Sequence, residues 1–243
     1  ATVRNLAREA ELRPILGGTP DTLKFFAADL MSDGGWAEAL AGCDAVCHMA
    51  SPFPSAVPKD ENDLIVPARD GALRALRFAH AAGIKRFVMT SSAAAVAYGH
   101  PPGKSEYDER DWTNPDAPGV QPYIKSKTIA ERAARDWVAA NAPDMEYCAV
   151  CPVAVLGPVE GGDFAASVEI VERLLNGSIP AIPDAGRRRE VRRRTATIGG
   201  CRHSTTINTT GTATTVAATT GTTTAAATTT TVTAAPQAPR RSP

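Results

Sequence analysis

"IKRFVMTSS", residues 84–92, is a short apolar run that ends on two hydroxyls. It reads as a β-strand. Its apolar stretch does not alternate with polar residues, which suits a sheet covered on both faces. Upstream, residues 61–82 place Ala72, Ala75, Leu76 and Ala79 at helical spacing, with Pro67 as a possible kink. Downstream, after a long loop, "PYIKSKTIAERAARDWVAAN" (122–141) reads as a second helix. A buried strand between two helices therefore sits at the centre of the chain.

The same alternation extends in both directions. "TVRN" (2–5) ends a strand, and "NLAREAELRPIL" (5–16) is a short helix stopped near Pro14 and Gly17-Gly18. "TLKFFAADL" (22–30) is a strand with a turn at Asp29, and "GWAEALAGC" (35–43) a short helix closed by Gly42. "DAVCHMAS" (44–51) and "EYCAVCPVAVLGP" (146–158) are apolar strands, and "FAASVEIVERLLNG" (164–177) is a helix. Strands alternating with helices imply an α/β fold with a doubly wound parallel sheet. Ligands bind such sheets beyond the carboxyl ends of the strands. The positions to watch are Arg4, Asp29, Ala50-Ser51, Ser91-Ser92 and Pro152 onward.

Composition divides the chain. The 243 residues carry a formal net charge of +0. From position 187 to the end there are nine Arg, no Lys and one acidic residue, Glu190, so 9 − 1 = +8. The preceding 186 residues balance this with 17 basic and 25 acidic residues, a net −8. Beyond Gly186 the sequence has no Leu, Met, Phe, Tyr or Trp and becomes rich in Thr and Ala. Such a stretch cannot bury enough apolar surface to offset chain entropy. Residues 187–243 therefore read as a low-complexity, disordered tail. A basic segment for nucleic acid is one reading of it, and translation outside the natural frame is the other. The lack of interleaved aromatic residues favours the second.

No apolar run is long enough to cross a bilayer, and no signal segment opens the chain, so no membrane partner is expected. Five cysteines, Cys43, Cys47, Cys148, Cys151 and Cys201, lack the spacing of a zinc site. Cys47, Cys148 and Cys151 fall in apolar strands and read as small buried hydrophobes. The odd thiol count fits a reducing cytoplasm.

Tyr123 and Lys127 are four residues apart on a helix and so share a face. A lysine ammonium beside a phenol favours the phenolate, which makes the phenol usable in proton transfer. A hydroxyl at the end of the 84–92 strand could hold a substrate carbonyl beside it.

Taken together, "ADL" (28–30), "GCDAVCHMASPF" (42–53), "GIKRFVMTSSAAAV" (83–96), "YDERDW" (107–112), "YIKSKTIAERAA" (123–134), "PVAVLGP" (152–158) and "SVEIVERLLNGSIP" (167–180) resemble the extended short-chain dehydrogenase/reductase superfamily, in its dihydroflavonol-reductase-like branch. The resemblance implies a Rossmann-like sheet and reversible carbonyl reduction with a nicotinamide cofactor. It implies Ser92, Tyr123 and Lys127 as catalytic residues. It implies cofactor contacts at Arg4, Asp29, Leu30, Met49, Ala50, Ser51, Tyr123, Lys127, Pro152, Val155 and Ser167. Arg4 follows the strand whose end meets the adenosine ribose. An arginine there suits a 2′-phosphate, so NADP is the expected cofactor, with NAD the alternative. Glu11 stands where some relatives carry a second basic contact, and Arg8 is its substitute.

The sequence departs from the pattern in two places. It contains no strand followed by a G-x-x-G-x-x-G turn to cradle a pyrophosphate, and Gly17-Gly18 follows the wrong element. The substrate-binding region is cut short by the tail. The expected organisation is an incomplete dinucleotide-binding domain over 1–158, the start of a substrate region over 159–186, and the tail over 187–243. The expected partner is a small-molecule aldehyde or ketone, with nucleic acid disfavoured. A nucleotide-sugar epimerase or dehydratase on the same scaffold, and a non-catalytic binding protein using the basic tail, are the alternatives.

Overall fold

The computed structural model describes residues 1–53, 58–104, 106–153, 155 and 166–178. The tail over 187–243 and most of the presumed substrate region lie outside these residues. Along the chain run β1 (Thr2–Val3), α1 (Glu9–Leu16), β2 (Phe26–Ala27), α2 (Trp36–Leu40), β3 (Ala45–His48), α3 (Asn62–Ala81), β4 (Arg86–Thr90), α4 (Pro122–Asn141), β5 (Glu146–Val150) and α5 (Ala166–Leu175). The order of strand and helix is the one read from the sequence.

Among the described residues all strand pairing is parallel. β1 lies beside β2, with Thr2 opposite Phe26. β3, β4 and β5 form a second sheet in that order, with Cys47 opposite Val88 and Val88 opposite Cys148. β1 and β3 do not pair with each other. The resemblance places one further strand between them, and the two sheets here are not joined through backbone hydrogen bonds. β2 is far shorter than the 22–30 run suggested. An extended segment is a strand only where it has a partner, and its neighbour β1 offers two residues.

The larger sheet is covered on one face among the described residues. Val46, His48, Phe87, Met89, Tyr147 and Ala149 point to α3 and α4, and most of them are buried. Val88, Thr90, Cys148 and Val150 on the other face are half-buried, and Cys47 is exposed. Burial in β4 alternates residue by residue. This corrects the expectation of a buried Cys47, and the two helices described on this sheet lie on one of its faces. The cause is topological. Both crossovers, β3 to β4 and β4 to β5, turn in the same hand, so α3 and α4 land on the same side.

The helices meet through small residues. Ala72, Ala75, Leu76 and Ala79 of α3 are at most 1% exposed, as their spacing predicted. They share a core with Ala130, Ala134 and Val138 of α4 and with Phe87 and Met89 of β4. α3 runs through Pro67, and α1 through Pro14 to end at Gly17, where φ is 69°.

Two glycines fix the segment after β2. Gly35 has φ 82°, and a Cβ there would sit 1.7 Å from the carbonyl oxygen of Ala27. Gly71 of α3 leaves room for Leu30, whose Cβ would lie 2.8 Å from an added Cβ. The Asp29–Leu30 turn is thus seated directly on α3. Trp36 Nε1 donates to the carbonyl of Asp29 at 2.9 Å, and Arg74 of α3 donates to the carbonyl of Leu30.

Candidate active site

The carboxyl ends of the strands carry the residues singled out from the sequence. Arg4 lies just past β1 and is exposed. Asp29 and Leu30 follow β2, where Asp29 Oδ1 accepts from the backbone N–H of Met31 at 2.7 Å. Met49, Ala50 and Ser51 follow β3. Ser91 and Ser92 follow β4, and Pro152 follows β5. Val155 is exposed. Ser167 lies in α5, and its surroundings fall outside the described residues.

The ends of β4 and β5 are held together tightly. The N–H of Ser91 donates to the carbonyl of Val150 at 2.7 Å, and the N–H of Ala93 to that of Pro152 at 2.9 Å. Between these bonds sits Ser92, in extended backbone. Its Oγ accepts from the N–H of Ala94 at 3.1 Å and caps a single 3-10 turn over Ala93–Ala95. A hydroxyl that accepts a backbone bond keeps its own proton to donate. Thr113 buttresses the turn from below, with its Oγ1 donating to the carbonyl of Ala94 at 2.7 Å. Thr113 belongs to the loop after "YDERDW". Two of that segment's carboxylates are in ion pairs: Asp111 with Lys104 at 2.6 Å and Asp108 with Arg110 at 2.5 Å. Beside them, Tyr107 is buried.

Tyr123 and Lys127 lie in the first turns of α4. Pro122 opens that helix, where its missing N–H costs nothing. The Lys127 Nζ lies 5.7 Å from the centroid of the Tyr123 ring, so the two share a face as their spacing required. Lys127 is buried, and burial pulls its ammonium from 10.5 to about 8. His48 of β3 is also buried. Burial, helped by the charge of Lys127, holds its imidazole down at about 4, so it is neutral near pH 7.

A depressed lysine has a stability consequence. Between the folded value near 8 and the unfolded value of 10.5 the unfolded chain binds more protons, so stability from this group rises with pH across that window. Below pH 8 the full cost of burying the ammonium is present. Lys127→Met is therefore expected to stabilise the chain at pH 7 by on the order of 3 kcal/mol. It should also flatten the stability gain between pH 8 and 10.5. Urea unfolding of both chains across that range measures this, and a variant less stable than the parent at pH 7 contradicts it.

Several neighbours escaped the sequence reading. Phe53 stands edge-on to Tyr123, with ring centroids 4.9 Å apart. With Met49, Val153 and Val155 it is one of the exposed apolar side chains near these strand ends. Glu131, one turn beyond Lys127, is 1% exposed, and the four-residue rule that paired Tyr123 with Lys127 would have found it. Trp112 lies under the guanidiniums of Arg132 and Arg135, at 5.0 and 5.6 Å. Arg8, the suggested second basic contact, is tied to Glu11 through Nε and Nη2 at 3.2 and 3.1 Å. Gly17 and Gly18 close a helix rather than follow a strand, so they cannot form a phosphate turn.

The residues present fit a nicotinamide ligand at its catalytic end. Ser91 Oγ is buried at the tip of β4 with no hydrogen-bond partner, and a buried hydroxyl in that state calls for one. The buried Lys127 ammonium on α4 is a second donor for polar ligand atoms. At the adenosine end the described residues offer Arg4 and the Asp29–Leu30 turn.

Comparison with known proteins gives a consistent result. The sequence profile of the NAD dependent epimerase/dehydratase family matches residues 1–191. The chain is 33% identical over 187 residues to dihydroflavonol 4-reductase of Hordeum vulgare, covering 73% of this chain and 52% of that protein. It is 36% identical over 185 residues to a cinnamoyl-CoA reductase of Medicago truncatula, covering 73% of this chain and 56% of the other. It thus spans about half the length of these relatives. Among solved structures, Gre2 of Candida albicans in complex with NADPH superposes with a TM-score of 0.61 at 27% identity, over 72% of this chain and 57% of that one. With the parallel sheet, the Tyr123–Lys127 helix and the profile match all in agreement, the chain belongs to the NAD dependent epimerase/dehydratase family.

Proposed function

We propose that this chain carries the catalytic half of an NADPH-dependent reductase that converts an aldehyde or ketone to an alcohol. The observation that supports this most is the pairing of Tyr123 with the buried Lys127 on α4, one strand end away from Ser92. When bound, the nicotinamide supplies the hydride that goes to the carbonyl carbon. The chain's own residues do the rest. The Ser92 hydroxyl, already accepting from Ala94, donates to the carbonyl oxygen and holds it in place. Tyr123 delivers its phenolic proton to that oxygen as negative charge develops there. Lys127 offsets the negative charge left on the phenolate and donates to the ribose hydroxyls. Neutral His48 beneath it adds no competing positive charge.

The remaining assignments follow the strand ends. Arg4 takes the 2′-phosphate, the Asp29–Leu30 turn meets the adenine side, and Met49, Ala50 and Ser51 pass under the cofactor. Pro152 and Val155 flank the nicotinamide, and Ser167 makes a further contact. The apolar side chains of Phe53, Met49 and Val153 suit a substrate with a hydrophobic or aromatic body.

Titration of the purified chain with NADPH, followed by cofactor fluorescence, tests the reading. Saturable binding at least about tenfold tighter than NADH is expected, since an arginine–phosphate pair contributes on the order of 1.5–3 kcal/mol. A preference for NADH of that size overturns the assignment of Arg4. Turnover of a carbonyl panel, with none of nucleotide sugars, is the expected catalytic result.

A further inference from the structure

Helix α4 carries four polar side chains at four-residue spacing on one face: Tyr123, Lys127, Glu131 and Arg135. The proposed reaction uses the first two. Glu131 is 1% exposed, and a carboxylate tolerates such burial only when its oxygens are held. Both are held. Oε1 accepts from Arg135 Nε at 3.0 Å and Nη2 at 2.8 Å. Oε2 accepts from Cys151 Sγ at 3.4 Å. Cys151 is buried at the end of β5, within electrostatic reach of Lys127. The thiol is thus a junction between an ammonium and a carboxylate.

That junction could go two ways. A thiol beside an ammonium tends to ionise, and the thiolate would then pair with it. Such a pair would draw the charge of Lys127 toward β5 and away from Tyr123. The carboxylate works in the opposite direction. Its negative charge disfavours a second one at Cys151, and Oε2 accepts the thiol's proton. Arg135, a cation within electrostatic reach of the thiol, works with Lys127 toward ionisation, and the directly bonded carboxylate opposes both. His48 on β3 is neutral near pH 7. Tyr147 on β5 is pushed up by burial and then by the charge of Glu131, and its hydroxyl donates to Met89 Sδ at 3.2 Å. Arg135 balances the carboxylate.

We propose that Glu131 is a positioning residue: it keeps Cys151 a neutral thiol donor and so leaves the Lys127 ammonium free to serve the cofactor face of α4. The proposal rests on the reductase reading of Tyr123 and Lys127.

The test uses the full chain, with thiolate absorbance read as a function of pH. Four proteins are compared: the parent, C151S, E131Q and E131Q/C151S. The difference within each pair isolates the titration of Cys151 from that of the other cysteines. Its midpoint is expected to fall by at least about one pH unit in the Glu131→Gln background. NADPH affinity near pH 8 should drop by about tenfold in E131Q and recover in E131Q/C151S, because a serine there does not ionise. A purely structural carboxylate would give no such rescue. An unchanged Cys151 midpoint, or a loss of affinity that the second substitution does not restore, overturns the proposal. If E131Q does not fold, the parent and Cys151→Ser decide the matter: their absorbance difference should show Cys151 still protonated at pH 8 with NADPH affinity equal in the two, and a Cys151 thiolate at pH 8 in the parent overturns the proposal. A shifted Cys151 midpoint in a chain that binds no NADPH upholds the control of the thiol and overturns the reductase reading.

Discussion

Tyr123→Phe is expected to lower NADPH-dependent carbonyl reduction by at least about 100-fold while leaving NADPH affinity within about threefold. A positioned general acid contributes roughly 10²–10⁴ in rate, so 100-fold is the lower end of that range. The substitution removes one oxygen and little else. The edge-on contact with Phe53 at 4.9 Å involves the ring, as does the approach of Lys127 Nζ at 5.7 Å. Ser126 Oγ donates to the backbone carbonyl of Tyr123 at 2.7 Å, and that bond is untouched. The helix and Lys127 should therefore stay in place. Steady-state kinetics paired with a fluorescence titration separates the two readouts. Turnover that survives within tenfold would remove Tyr123 from the role of proton donor. Loss of cofactor binding in step with turnover would mean that the phenol serves binding instead.

Phe87→Ala is expected to destabilise the chain by about 3–5 kcal/mol, the range for removing a buried phenylalanine. Phe87 is 0% exposed at the centre of the middle strand. Its ring stacks on Tyr147 of β5 with centroids 6.2 Å apart and tilts against His48 of β3 at 5.9 Å. One side chain thus ties all three strands of the larger sheet together on their covered face. Domains of ordinary stability have about 5–15 kcal/mol in total, so the loss is a large share of it. The effect should also reach the site, because His48 lies next to Lys127. Urea unfolding at pH 7 reads the first effect and NADPH titration the second. A cost below about 1 kcal/mol would mean that the sheet collapses around the cavity without strain.

The order of elements was legible in the sequence because each element carries its own periodicity. α4 begins and ends where "PYIKSKTIAERAARDWVAAN" does, and the alanines of α3 face inward as their spacing required. Tyr123 and Lys127 could be paired from spacing alone, because i and i+4 meet on any helix. Other features were not local and could not be read that way. Whether a strand is covered on one face or two depends on which side the crossovers place their helices, so the exposure of Cys47 was invisible in "AVCHMA". The length of β2 depends on its partner β1, not on the apolar content of residues 22–30. The meeting of Glu131 with Cys151 joins residues 20 apart in sequence on two elements. The burial that lowers Lys127 likewise comes from the fold around α4. Sequence alone determined the type and order of the elements and the face that carries the tyrosine and lysine. Tertiary structure decided which of those side chains lose water, and the loss of water is what turns a spacing motif into a site with altered proton affinities.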